Sequence, residues 1–484
     1  MTENPTNLLI LMADEHTRHV MACYGNGIVK TPNLDRLAAR GTLFRNAYST
    51  SPICVPARAA FATGRYPHLT GHWDNAFGYA GEPRSWGHEL QDAGRTVGSI
   101  GKLHYRSEED PTGFDFQELP MHLVNGIGDV LGAVRDPLPV RWKTRTMAEK
   151  IGPGETSYSN YDAQISDAAV NWLQTREKQS GGEPWTLFVS MVTPHFPLIA
   201  PQEYYDLYAD IGMMPTKPVE QPEHPWMAAL RECMRYDNFT DESTRIALAS
   251  YYGLVSYMDA KMGRILDTLD DLGLTDTTHI LYISDHGDNI GERGLWGKSV
   301  MFEESAGIPA ILAGPGVPEG RECTTPITHV DVHPTVLANA GLKPLADLPG
   351  RSLLQIADAP DEPERAVFAE YHAGGACSGA FMIRKGRWKL VHYAGFRPSL
   401  FDLQDDPGEL EDLGEKPKYT DVIADLTAVL HEVCDPDEVD RRAKADQAAL
   451  VEAHGGREAV IARGGFGATP APGEKAEYIA SEKA

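Results

Sequence analysis

The chain is predicted to be an α/β protein: a mostly parallel sheet sandwiched by helices, then a smaller C-terminal antiparallel-sheet subdomain and an extended C-terminal arm. Three observations lead there. Continuous apolar runs closed by a polar residue suit strands buried on both faces. These runs alternate with segments of helical periodicity, the pattern of a sheet covered on both sides. After about Arg365 the runs shorten and follow one another directly, as antiparallel strands do.

Asn7 to Ala13 is the first such run, ended by Asp14. Asn33 to Arg40 reads as a short helix ended by Gly41, and Ala59 to Arg65 continues a helix that opens near Cys54. Thr96 to Ile100 is a short strand before Gly101. Asp162 to Gln174 has helical spacing, and Trp185 to Val192 is a buried strand running into Thr193-Pro194-His195. The longest helical stretch, Ser243 to Leu272, stops at Gly273; Thr278 to Ser284 then leads into Asp285-His286-Gly287. Pro309 to Leu312 and a helix over Asp331 to Ala340 continue the alternation. Val367 to Tyr371, Ala380 to Arg384 and Trp388 to Tyr393 read as antiparallel strands, Tyr419 to Val433 as an amphipathic helix and Asp435 to His454 as a charged helix. The organisation is therefore a catalytic domain over residues 1–364, a small α+β subdomain over 365–434, and a helix and arm over 435–484. Phe466, apolar within the Gly/Pro/Ala stretch from Gly464 to Gly473, suggests an arm docked on a neighbouring subunit of a homo-oligomer; the alternative is a disordered tail, above all for the final ten residues. No internal repeat is apparent.

Open α/β sheets bind ligands beyond the carboxyl ends of their strands. Asp14, Lys102, His195 and Asp285 each follow a predicted strand end. Two carboxylates in one crevice repel unless a cation joins them, and hard oxygen donors favour calcium, manganese or magnesium over zinc. His286 is a third candidate ligand, and Glu15 reaches either the ion or its outer shell. Lys102 and His104, two apart in extended chain, would point to one side and share an anion. Glu303 and Glu304 read as caps of the helix they open. Trp73, Phe77, Tyr79 and Tyr105 suit either an aromatic leaving-group pocket or core packing.

Cys54-Val55-Pro56-Ala57-Arg58 carries the most chemistry. A cysteine at a helix start faces unpaired N–H groups and the positive dipole end, and Arg58 adds a charge one turn on. A phosphatase loop would need arginine at position 60, which is Ala60. The pentapeptide and the Thr63-Gly64-Arg65 tail resemble the signature of the type I sulfatases of the alkaline phosphatase superfamily, closest in motif to choline-sulfatase and arylsulfatase members. Matching segments run through Leu400-Phe401-Asp402-Leu403.

The resemblance implies a sulfuric ester hydrolase. Cys54 would be converted to formylglycine by a formylglycine-generating enzyme, and its hydrate would attack the sulfur of a small-molecule sulfate ester. A divalent metal would be held by Asp14, Asp285, His286 and the modified residue 54. Catalytic roles pass to Arg58, Lys102, His104 (the base that lets sulfate leave), His195 and Lys298, and substrate binding to Asn75. The sequence departs from the commonest pattern at Glu15, where many members have Asp, and at His286, where many have Asn. The alternatives are a phosphonate monoester or phosphodiester hydrolase, which the Lys102-Leu103-His104 pair argues against, and a sulfatase-fold binding protein that has lost catalysis.

With 44 Lys and Arg against 69 Asp and Glu, the net charge is −25, which repels nucleic acid and anionic membranes. Positive charge for an anionic substrate must then be local. The 6 cysteines are dispersed, without the pairing of a disulfide framework or zinc ribbon. No basic n-region precedes the short apolar run at Leu8, and no run reaches membrane-spanning length; the expected address is cytoplasmic.

Overall fold

The computed structural model describes residues 5–179 and 183–479, so the first four residues of the N-terminal segment and the last five of the tail lie outside the described residues. Asn7–Asp14 (β1), Gly41–Phe44 (β2), Thr96–Lys102 (β3), Phe116–Met121 (β4), Trp185–Pro194 (β5), Thr278–Ser284 (β6), Ala310–Ala313 (β7) and Arg321–Cys323 (β8) form one sheet, in the order β8-β2-β7-β6-β1-β5-β3-β4. Only the pairings of β7, with β2 and β6, are antiparallel.

Helices cover both faces because the strands are apolar on both. Leu9, Leu11 and Ala13 of β1 share one core with Leu34 and Leu37 of Pro32–Ala39 (α1), Ile165 of Ser157–Gln179 (α3) and Leu266 of Asp241–Asp271 (α4). Leu8, Ile10 and Met12 share the other with Phe61 of Cys54–Thr63 (α2) and Val336 of Val332–Asn339 (α5). The period of two along β1 thus divides the molecule into two cores. A capping box between Thr240 and Ser243 starts α4. Gly64, at φ +67°, ends α2 in the left-handed region that disfavours a Cβ.

Strands β1, β5 and β6 are parallel neighbours and β3 is parallel to β5, so their carboxyl ends open on one edge. That edge carries Asp14, Lys102, His195 and Asp285. The Asp285-His286-Gly287 corner is tight: Gly287 N–H donates to Ser305 O at 2.8 Å, and a Cβ on Gly287 would fall 2.0 Å from Glu304 O.

The antiparallel sheet consists of Val367–Tyr371 (β9), Ala380–Lys385 (β10), Trp388–Tyr393 (β11) and Ser399–Asp402 (β12). Its last strand falls on the Leu400-Phe401-Asp402-Leu403 segment and pairs antiparallel with β11. Thr420–Val433 (α6) packs Leu426 and Leu430 against it, followed by Pro436–Ala453 (α7) and Gly456–Arg463 (α8). Glu303 and Glu304 do open a short helix, but both are buried in an ion network rather than serving as solvated caps. Lys389 of β11 donates to Glu303 at 2.9 Å and pairs with Glu409 at 2.7 Å, Arg18 also pairs with Glu303, and Glu304 takes Arg293 at 3.0 Å and Lys217.

The arm folds back on its own chain. Gly465–Phe466 pairs with Tyr478–Ile479, and Phe466 is buried with its ring edge-on to Tyr478 at 5.8 Å. Burial of Phe466 therefore does not itself call for a neighbouring subunit. Among the described residues no helix is long and apolar enough to cross a membrane.

Gly287→Ala is expected to lower the unfolding free energy by about 1–3 kcal/mol, because the added methyl meets backbone rather than a mobile side chain; denaturant unfolding of the purified variant measures it.

Candidate active site

Cys54 is the first residue of α2, with Ile53 in extended conformation before it. Its neighbour Val55 donates its N–H to Asn75 Oδ1 at 3.0 Å, so Asn75 caps this helix start as well as lining the cleft above it. The Cys54 sulfur lies 3.2 Å from His286 Nε2, 3.4 Å from Lys298 Nζ and 3.8 Å from Asp14 Oδ1. Burial disfavours a thiolate there, yet Lys298, Lys102 and His286 outweigh it and hold the thiol well below its ordinary range.

Asp14 and Asp285 meet across the β1–β6 pair. Arg58 bridges them, donating Nε to Asp285 Oδ2 at 2.8 Å and Nη2 to Asp14 Oδ2 at 3.0 Å, while Nη1 donates to Lys102 O and Ser190 Oγ. Its guanidinium thus braces the two carboxylates while its charge also bears on Cys54. Lys102 Nζ sits 2.5 Å from Asp14 Oδ2. Burial and the Cys54 sulfur oppose ionisation of Asp14, but Lys102, His195 and Arg58 prevail and hold its carboxyl well below the usual range. Asp285 moves the other way, pushed up by burial and by Asp14's charge.

Asp14, Cys54, Asp285 and His286 each place a donor atom within 4.8 Å of the others, and all four are buried. His286 Nδ1 lies 3.0 Å from Gly287 O, a bond that fixes Nδ1 as donor and turns Nε2 into the cluster. Burial works against the imidazolium, but Asp285 raises it to about 9. Two buried carboxylates, one of them raised by its like-charged neighbour, form a donor set that suits a hard divalent cation, whose binding would displace that proton.

Glu15 organises the opposite wall. Its Oε2 accepts from Lys298 Nζ at 2.8 Å and lies 3.2 Å from His195 Nε2, and Glu15 also gathers with Asp14 and His195 as a second buried donor set that could hold a metal ion. Lys298 is disfavoured by burial but kept charged, well above its ordinary range, by Cys54, Glu15 and Asp14. His195 places Nδ1 2.7 Å from Phe196 O, so Nδ1–H donates there and Nε2 turns inward. His104 does not sit in extended chain as expected. Its φ is +58°, in the left-handed region, and that turn rather than strand alternation brings it beside Lys102. Burial and Lys102 push its pKa down to about 4, leaving a neutral base.

Above these groups opens a cleft with about 650 Å³ of empty space, part of it open to solvent. Phe196, Tyr236, Trp296 and Tyr371 line it, with Asp74 and the Asp129–Arg141 ion pair. The four aromatics weighed from sequence do not. Trp73, Tyr79 and Tyr105 are buried in the cores with Phe77 packed beside them, so core packing is their role. Sequence reasoning missed Ser190, which no motif marks, and the part Glu15 plays.

A mostly parallel sheet whose carboxyl edge joins paired carboxylates, a buried cysteine at a helix start and several buried basic side chains forms a pocket suited to a hydrolase of anionic substrates. Comparison narrows the class. The Sulfatase family model matches residues 6–342, and the model described as N-sulphoglucosamine sulphohydrolase, C-terminal, matches 291–435. The chain belongs to the sulfatase family, hydrolases of sulfate esters whose members generally use formylglycine and a divalent metal. It is 34% identical to the choline-sulfatase of Rhizobium meliloti (strain 1021), covering 88% of this chain and 86% of that one. It is 29% identical to arylsulfatase K of Danio rerio over 89% and 84% of the two chains. In fold it is similar to a structure solved in complex with its substrate D-glucosamine-2-N,6-O-disulfate (TM-score 0.73, 23% identity, 92% and 99% coverage). It is similar in the same way to the phosphonate monoester hydrolase of Agrobacterium radiobacter (TM-score 0.73, 24% identity, 88% and 95% coverage).

Arg58→Met, which leaves two buried carboxylates without their bridge, is expected to destabilise the protein by about 3–5 kcal/mol near neutral pH. Asp14's depressed pKa contributes stability above the ordinary carboxylate value that is lost as pH falls. Denaturant unfolding across pH should therefore show the gap between variant and parent narrowing toward acid.

Proposed function

We propose that this protein hydrolyses the sulfate monoester of a small alcohol or phenol, with Cys54 matured to formylglycine and one divalent cation, calcium or manganese with magnesium as the third option. Asp14, Asp285, His286 and the modified residue 54 would hold the cation. Once present, formylglycine supplies a hydrated aldehyde as nucleophile and the cation supplies positive charge against the sulfate oxygens. The observation that carries this reading is the convergence of His286, Lys298 and Asp14 within 3.8 Å of the Cys54 sulfur.

The remaining work falls to the chain's own side chains. Lys102 and Lys298 are buried cations that bind the sulfate, which supports anion recognition in a protein of net charge −25. Lys298, held charged by Cys54 and Glu15, suits binding better than proton donation. His195, with Nδ1–H engaged by Phe196 O, presents Nε2 as the acid for the leaving oxygen. His104, neutral and beside Cys54, takes the proton from residue 54 that lets sulfate depart. Burial of these groups excludes water and strengthens each charge.

The phosphonate reading has the Agrobacterium structure as a fold neighbour, whereas the Lys102–His104 pair supports sulfate. The deciding experiment compares kcat/KM on an aryl sulfate, choline sulfate and an aryl phosphonate, using enzyme co-expressed with a formylglycine-generating enzyme. Sulfates are expected to lead by at least about tenfold, a difference of about 1.4 kcal/mol in transition-state binding. A phosphonate preference would overturn the proposal.

Two further outcomes are expected. Cys54→Ser should lose multiple turnover, since a simple alcohol that accepts sulfate has no second hydroxyl to expel it. A strong chelator should abolish activity, and adding back calcium or manganese should restore it; rapid turnover by the serine variant or by metal-free enzyme contradicts the assignment.

A further inference from the structure

One contact joins the active site to a segment that carries no motif. His104 Nε2 lies 2.8 Å from the Thr469 hydroxyl, 365 residues further along the chain, and both residues are buried. Thr469 is itself held in place, because Tyr158 OH donates to its carbonyl and the Tyr158 ring packs edge-on to His195 at 6.0 Å. The other His104 nitrogen, Nδ1, is buried and lies on the side of Cys54, the side chain with which His104 interacts there.

A neutral imidazole carries one N–H and one lone pair, and the partner of each nitrogen decides which is which. With the proton on Nδ1, the buried N–H would point into the field of Lys102 and Arg58, and only a thiolate at residue 54 would welcome it. With the proton on Nε2, the Thr469 oxygen accepts it and the Nδ1 lone pair faces the cations and residue 54. Where residue 54 carries no thiolate, as in matured or Cys54→Ala protein, the charges of Lys102 and Arg58 favour the second arrangement.

We propose that Thr469 is a positioning residue for the hydrolytic reaction: its hydroxyl oxygen accepts the Nε2–H of His104, holding Nδ1 as the base aimed at residue 54, so that the C-terminal arm completes the active site of its own chain. The contribution to catalysis rests on the sulfate-ester reading above; the tautomer does not.

The test therefore has two arms. In unmodified Cys54→Ala protein, long-range proton–nitrogen spectra of isotopically labelled histidine, with His104→Gln added for assignment, should show His104 protonated on Nε2. Thr469→Val should abolish that preference and Thr469→Ser should keep it. In matured enzyme, Thr469→Val should lower kcat roughly 10- to 100-fold with KM little changed, and Thr469→Ser should restore most of the rate. An Nδ1-protonated His104 in the parent, an unchanged kcat for Thr469→Val, or equal losses for Val and Ser would each overturn the proposal. The parent spectrum needs no change at 469, so it decides the tautomer even if Thr469→Val does not fold. It is recorded without formylglycine or substrate, so it can fail while sulfate-ester hydrolysis stands, and inactivity of the parent enzyme on sulfates leaves it intact.

Discussion

The rest of the site depends on the bridge that Arg58 makes between Asp14 and Asp285. Two parallel strands end side by side and each delivers a carboxylate into the same buried space. Left alone, these charges would repel and at least one would take up a proton. A planar guanidinium with donors in fixed directions can hold both at once, which an ammonium cannot do. Arg58 also grips the Lys102 carbonyl and Ser190, so one side chain ties together the ends of β1 and β3, the middle of β5 and the corner after β6. Because it stands on the first turns of α2, the same bridge sets where Cys54 sits. Asp14 turns Oδ1 toward Cys54, Asp285 Oδ1 accepts the N–H groups of Glu15 and His286, and the position of Cys54 follows from the helix that carries the bridging arginine.

Charge is distributed locally against the global balance. A chain of net −25 offers little attraction to an anion at long range. Near Cys54 the order reverses: Lys102, Lys298 and His286 converge while carboxylates stand behind or beside them. Glu15 is the clearest instance, since one carboxylate holds both His195 and Lys298, the latter beside Cys54.

Much of this was legible in the sequence because the relevant signals are local. The apolar run ending in Asp14 and the one ending in Asp285-His286 state both that a strand is buried and where it stops, and parallel pairing then puts the two ends together. Cys54 and Arg58 are separated by one helical turn, so their relation is also short-range. What the sequence hid depends on long-range geometry or on backbone shape. His104 reaches the site through a left-handed turn that extended-strand reasoning misses, Arg58 turns toward carboxylates from distant strands, and the aromatic lining comes from Phe196, Tyr236, Trp296 and Tyr371 rather than from residues near Cys54. The pairing of His104 with Thr469 spans most of the chain and follows no spacing rule.

The buried ions around Glu303 carry one more consequence. Lys389 lies in the small antiparallel sheet, whereas Glu303 and Glu304 lie just beyond the Lys298 loop of the large one, and these charges have scarcely any access to water. Separating the two sheets would strand unpaired ions in an apolar setting, so the C-terminal piece is not a detachable module. Loss of the small sheet, by truncation or by recombination with a distant homologue, would be felt as a folding defect on the loop that carries Lys298, and natural exchange of that region between relatives would have to carry both halves of the ion network together.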